Sequence, residues 1–159
     1  MRLSFRAALV PFLLLAGCTG TDTSLGTEFP DLQLVMPSTG EMAASLASCS
    51  TQKCLTVVVA PWCSVCHSAT GTIISLRGYL KAAGVASRVV VGLSPDYKEL
   101  KAYAEEFGPD AQIDIARALK PSGVPMFIVS DAKGKILKTV AGIPSGGGTS
   151  AGLAYALGF

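Results

Sequence analysis

Residues 55–60, Leu-Thr-Val-Val-Val-Ala, constrain this chain more than any other stretch. An unbroken apolar run rich in β-branched residues suits a strand buried on both faces. Pro61 ends it. Beyond it, Cys66, Ala69, Ile73, Leu76, Leu80 and Ala83 recur at intervals of three and four. That spacing predicts a helix from about Cys63 to Ala83 with one buried face, stopped by Gly84. Ser87 to Leu93, centred on Arg-Val-Val-Val-Gly-Leu, is a second buried strand. Strand, helix and strand of this kind form a βαβ unit with parallel strands and a right-handed crossover.

The flanks extend the pattern. Leu32 to Met36 reads as a short strand. Ser38 and Glu41 have capping-box spacing, which predicts a helix to about Ser48. Ser94-Pro95 reads as N-cap and first helical residue of a helix reaching Phe107, and 113–119 as a short helical piece. Met126–Ser130 and Lys135–Ala141 read as strands joined by the turn Asp-Ala-Lys-Gly, hence an antiparallel hairpin. Residues 144–148 form a loop, and 149–157 a last helix. The expected architecture is α/β: a central mixed sheet with a C-terminal antiparallel hairpin and helices on both faces.

Between the first strand and its helix stands Trp62-Cys63-Ser64-Val65-Cys66-His67. C-x-x-C is the spacing of a redox dithiol, and C-x-x-C-H is also the attachment pattern of c-type haem. Haem needs a mostly helical setting and usually a second axial ligand. A preceding strand, and no methionine beyond the initiator except those at 36, 42 and 126, favour the dithiol. Cys63 falls at a helix N-terminus, where unpaired N–H groups and the helix dipole stabilise an anion. A thiolate so placed can have its pKa lowered from about 8.5 to roughly 3.5–7.5. Cys63 is therefore the expected nucleophile. Cys66, one turn on and facing inward, is the expected resolving thiol.

Two separated motifs, Trp62-Cys63-Ser64-Val65-Cys66 and Gly123-Val124-Pro125 just ahead of the hairpin, resemble the thioredoxin-like family over residues 30–159. The resemblance implies a thioredoxin-like fold and a cis-proline at Pro125 beside the dithiol. It also implies a peptide site shaped by Trp62, Val124 and Pro125. Departures are visible. Thioredoxins carry a buried acid six residues before the first cysteine, where this chain has Val57. Met126 follows the proline, Gly71 stands where a kinking proline is common, and the Ser-Val dipeptide does not set redox direction.

The N-terminus reads as a targeting segment. Arg2 and Arg6 precede the apolar run Ala7–Leu15, which is too short to span a bilayer. Leu15-Ala16-Gly17-Cys18 resembles a bacterial lipobox, which implies a signal peptide over 1–17 and lipid on Cys18. Residues 18–29 read as a flexible tether and 30–159 as one domain. Without Arg2 and Arg6, the 13 basic residues fall to 11, against 11 acidic. No basic patch remains, which argues against nucleic acid. The implied location is the periplasmic side of the cell envelope, with Thr19 leaning towards the outer membrane.

Of five cysteines, lipidation leaves Cys49, Cys54, Cys63 and Cys66. In an oxidising compartment Cys49 and Cys54 suit a structural disulfide. A second redox pair and a four-thiolate metal site are the other readings. Glu105-Glu106 reads as a solvated face, His67 as a rim residue, and Lys133, Lys135 and Lys138 as charges guarding a sheet edge.

The expectation is a lipid-anchored thiol–disulfide oxidoreductase with no cofactor and no metal. The TlpA-like branch of the family implies a reductase acting on protein disulfides and recharged by a membrane electron donor. The rival is a non-enzymatic lipoprotein domain that binds a partner protein or a metal.

Overall fold

A computed structural model describes residues 24–29 and 32–159. The expected signal segment, Cys18 and the start of the tether lie outside the described residues. No helix among those described is long and apolar enough to cross a membrane.

Among the described residues, five strands and three helices form: β1 (Lys53–Val59), α1 (Ser64–Ala82), β2 (Ala86–Val91), α2 (Tyr97–Glu106), β3 (Gln112–Ile113), β4 (Met126–Asp131), β5 (Ile136–Ala141) and α3 (Ser150–Leu157). The sheet order is β3-β2-β1-β4-β5. β1, β2 and β3 run parallel, and β4 pairs antiparallel with both β1 and β5. The expected hairpin is present, and Asp131 closes its turn by accepting from the N–H groups of Lys133 and Lys135. β1 lies at the centre with every residue after Lys53 buried, as its composition requires.

Side-chain alternation along the strands splits the core in two. Val57, Val59, Val89, Val91, Phe127 and Val129 face one side, where they pack with the buried faces of α1, α2 and α3. The buried residues of α1 are Cys66, Ala69, Ile73, Leu76 and Leu80, the face expected from their spacing. Ile73, Leu76 and Leu80 each contribute on the order of 1.5–3 kcal/mol by burial. Val58, Val90, Met126 and Ile128 face the other side and meet Phe29, Leu34, Leu46 and Leu119.

That second face corrects the expectation of helices on both sides. It is covered by irregular chain, because neither the 38–48 helix nor the 113–119 helix forms. The Ser38/Glu41 capping box is not made. Ser38 donates to the Pro109 carbonyl, and Thr39 Oγ1 takes the Glu41 N–H. Met36 N–H bonds to the Glu41 carbonyl and Gly40 N–H to the Met36 carbonyl, folding 36–41 into a turn. Gly40, at φ +73°, supplies the left-handed residue that the turn needs. Likewise Leu32–Met36 is not a strand; Val35 alone bridges to Ile113 and Met42.

After Ile113, Asp114 turns the chain. Its buried carboxylate accepts the N–H groups of Ala118 and Leu119, and Arg117 adopts φ +52°. Helical continuation is impossible in that geometry. At α2 the N-cap is Asp96, not Ser94: Asp96 accepts from Lys98 N–H, and Ser94, two residues earlier, accepts from Asp96 N–H. Arg88 donates to the carbonyls of Ser45 and Ser48, and its burial lowers its pKa from the ordinary value.

Two glycines give opposite expectations. A Cβ on Gly134 would lie 2.7 Å from the Ala47 carbonyl oxygen, and the residue sits at φ +80°. Gly71 lies in α1 with open space around its Cα. Gly134→Ala should lower unfolding free energy in urea by about 2 kcal/mol or more. Gly71→Ala should raise it by about 0.5–1 kcal/mol.

Candidate active site

The C-terminal end of β1 and the N-terminal end of β4 are neighbours, with Val58 opposite Met126. This register brings two stretches some sixty residues apart to one end of the sheet. Cys63 caps α1, and the Val124–Pro125 peptide bond is cis. Cys63 Sγ lies 3.4 Å from the Val124 carbonyl oxygen. The sequence-expected residues Cys63, Cys66, Val124 and Pro125 therefore meet at one place.

Cys63 and Cys66 are joined as a disulfide with Cα atoms 5.2 Å apart. Their environments differ. Cys66 is fully buried in the helix-side core, whereas Cys63 retains 6% exposure at the surface end. The Cys66 N–H points at Cys63 Sγ across 3.1 Å. A thiolate at Cys63 would take the place of an N-cap oxygen, accepting an N–H that otherwise has no partner. The first turn of α1 holds no acidic residue, so nothing opposes the positive end of the helix dipole there.

Trp62, next to Cys63 in the chain, is 64% exposed. Its indole N–H donates to the Leu93 carbonyl at 2.9 Å, which fixes the ring. Leu93 holds φ +65°, a left-handed conformation unusual for a branched side chain. Sequence reasoning missed Leu93, for nothing in its local sequence marks it. His67 is a rim residue as expected. Its Nε2 meets the Pro61 carbonyl at 2.6 Å and its ring packs on Tyr103, with centroids 4.4 Å apart. A ring held this way serves the helix start, not a haem iron. Burial raises the Tyr103 pKa; the Thr70 hydrogen bond pulls it down and the Glu106 charge pushes it up.

Val57 is fully buried between Val89 and Phe127, so no carboxylate occupies that position. Met126 is buried in the second core face and presents no polar atom. Cys49 and Cys54 form a second disulfide at the start of β1. Five strand steps of about 3.3 Å and the turn beyond put roughly 20 Å between Cys54 and Cys63. That separation excludes a four-thiolate site and direct thiol exchange between the pairs. Among the described residues, no group of three or more His, Cys, Asp or Glu could hold a metal. A groove of about 480 Å³ beside Lys53, Tyr79 and Phe159 lies at the far end of the sheet and takes no part in this arrangement.

Two outcomes follow. In the reduced chain, iodoacetamide at pH 6 should label Cys63 at least tenfold faster than Cys66, read by peptide mass. Replacing Cys49 and Cys54 together with Ala frees a six-residue loop and should cost about 2 kcal/mol in urea unfolding, with the Cys63–Cys66 chemistry intact.

No protein-family description matches the chain, and no curated protein does. Solved structures do match. The thio-disulfide isomerase of Thermus thermophilus is 22% identical, with TM-score 0.59, over 84% of this chain and 94% of that one. The thioredoxin domain of a thiol-disulfide oxidoreductase from Bacteroides vulgatus is 17% identical, with TM-score 0.58, over 76% and 91%. A provisionally assigned thiol:disulfide interchange protein DsbE from Chlorobium tepidum is 17% identical, with TM-score 0.62, over 86% and 99%. At these identities the likeness is one of fold, and the chain has the thioredoxin-like fold.

Proposed function

We propose that this chain is a membrane-anchored thiol–disulfide oxidoreductase of the cell envelope, facing the periplasm, that reduces protein disulfides through Cys63 and Cys66. The observation that carries the reading is the setting of Cys63: a helix N-cap sulfur 3.4 Å from the carbonyl of Val124, next to cis-Pro125. No cofactor enters the reaction.

The reduced chain begins with a thiolate at Cys63 and a thiol at Cys66. Cys63 attacks one sulfur of a substrate disulfide, and the other substrate sulfur leaves and takes a proton. Cys66 then loses its proton and attacks Cys63 Sγ. The mixed disulfide breaks, the Cys63–Cys66 disulfide forms, and the second substrate thiol departs. The second proton comes from water; two electrons and the Cys66 proton pass from the chain to the substrate. A membrane dithiol donor returns them. A substrate strand beside Val124 and Pro125, with the Trp62 ring as a wall, would hold the target disulfide at Cys63.

The N-terminal geometry supports the anchored reading. Gly26 and Thr27 bond to Ile136, and Glu28 bridges Lys135, at the hairpin-turn end of the sheet. The dithiol lies at the opposite end. A chain held through lipid on Cys18 would present Cys63 away from the membrane.

One observation favours the rival, a non-enzymatic binding domain. Val57 leaves the neighbourhood of Cys66 without the acid that would move its proton. Insulin-disulfide reduction with dithiothreitol separates the two. The full chain should accelerate insulin precipitation, Cys63→Ala should abolish the acceleration, and Cys66→Ala should accumulate a mixed disulfide visible on a non-reducing gel. A wild-type rate equal to that of Cys63→Ala would leave the binding domain as the reading.

A further inference from the structure

β2 is paired along its whole length on one side and for two residues on the other. β1 matches it from Ala86 to Val91, whereas β3 reaches only Val90 and Val91. On that outer side the Val91 carbonyl receives the Asp114 N–H at 3.0 Å. Backbone alternation turns the N–H and C=O of Ser87 the same way, towards an edge where no described strand pairs.

Exposed edges are commonly blunted by charge or by a covering element. This edge is recessed instead. Hollows of about 400 and 420 Å³ flank it, and Ala86, Ser87 and Asp110 line both. One opens towards α1 at Arg77 and Lys81; the other opens towards the irregular chain at Met36 and Met42. Together they make a slot with a strand edge as its floor.

Charge is unbalanced around the slot: Arg77, Lys81 and Arg88 stand against Asp110. Arg77 engages Asp110 and Arg88 the Ser45 and Ser48 carbonyls, which leaves the exposed Lys81 to meet a new anion.

We propose that this edge docks an extended acidic segment of a partner protein, added as a strand beside β2 in line with β3. The segment's backbone pairs with the outward N–H and C=O of Ser87. A carboxylate on its α1 side meets the exposed ammonium of Lys81. Its other side lies over an apolar wall of Met36 and Met42. Ser87 stands at the start of β2 and the dithiol beyond the strands' far ends, so a docked partner leaves Cys63 open.

The test is a titration of the 15N-labelled full chain with three blocked seven-residue peptides. One alternates Glu with Thr and Val, one carries Lys for Glu, and one is the acidic sequence N-methylated at alternate amides. The acidic peptide should shift the amides of 86–89 and 110–112 saturably, at least tenfold more tightly than either control. K81E, an exposed position, should weaken the acidic peptide about fivefold and strengthen the Lys peptide. No shift at 86–89, equal binding of the N-methylated copy, or equal binding of the Lys copy would overturn the proposal. So would sedimentation showing a dimer whose Ser87 amide is already protected from exchange without peptide, since the slot would then be a contact between copies of this chain.

Discussion

The antiparallel pairing of β1 with β4 is the constraint on which the rest depends. It sets Val57 against Phe127 and Val58 against Met126. Apart from the end pair Lys53 and Asp131, every residue of this pairing is buried, so a slip by one residue would exchange the two core faces. The register therefore has little freedom. Because it is fixed, the turn after β1 and the loop before β4 emerge side by side. The helix cap at Cys63 and the cis bond at Pro125 are local features, and only this pairing makes them one site.

Electrostatics at the dithiol are one-sided. The helix end supplies N–H groups and partial positive charge to Cys63, and the first turn supplies no carboxylate against it. Cys66, one turn on, lies in an apolar core with Val57 beneath the same sheet face. In the reduced chain, a helix N-terminus favours the anion at the first sulfur, and an apolar core disfavours it at the second. On the proposed reading, that asymmetry gives the attacking and resolving thiols separate tasks. It also leaves proton removal from Cys66 to water or to an entering group, because the core side offers no base.

The sequence made the central elements legible for physical reasons. β1, β2, α1 and the hairpin each have one strong period, with apolar residues where burial needs them. The dithiol and its partner Pro125 were legible because their spacing and residue types carry their chemistry. The stretches 32–48 and 113–119 were not. There, Ser, Thr and Asp side chains take backbone N–H groups that a helix would use, as Thr39 does at Glu41 and Asp114 does at Ala118 and Leu119. Capping-box spacing alone cannot distinguish a helix start from such a turn. Ser94 misled for a related reason, since Asp96 two residues on is an equally good cap. Leu93, Tyr103 and the recessed β2 edge arise from packing between distant segments and leave no local trace.

A redox titration of the full chain in glutathione buffers, followed by the fluorescence of Trp62, tests the central claim most directly. The account predicts a single two-electron transition that Cys63→Ala abolishes. Its midpoint should lie near the roughly −270 mV of a thioredoxin-type reductase and well below the roughly −120 mV of a strong oxidant. Absence of any transition, with Cys63 and Cys66 bonded across the whole range, would contradict the account and make the pair a structural disulfide.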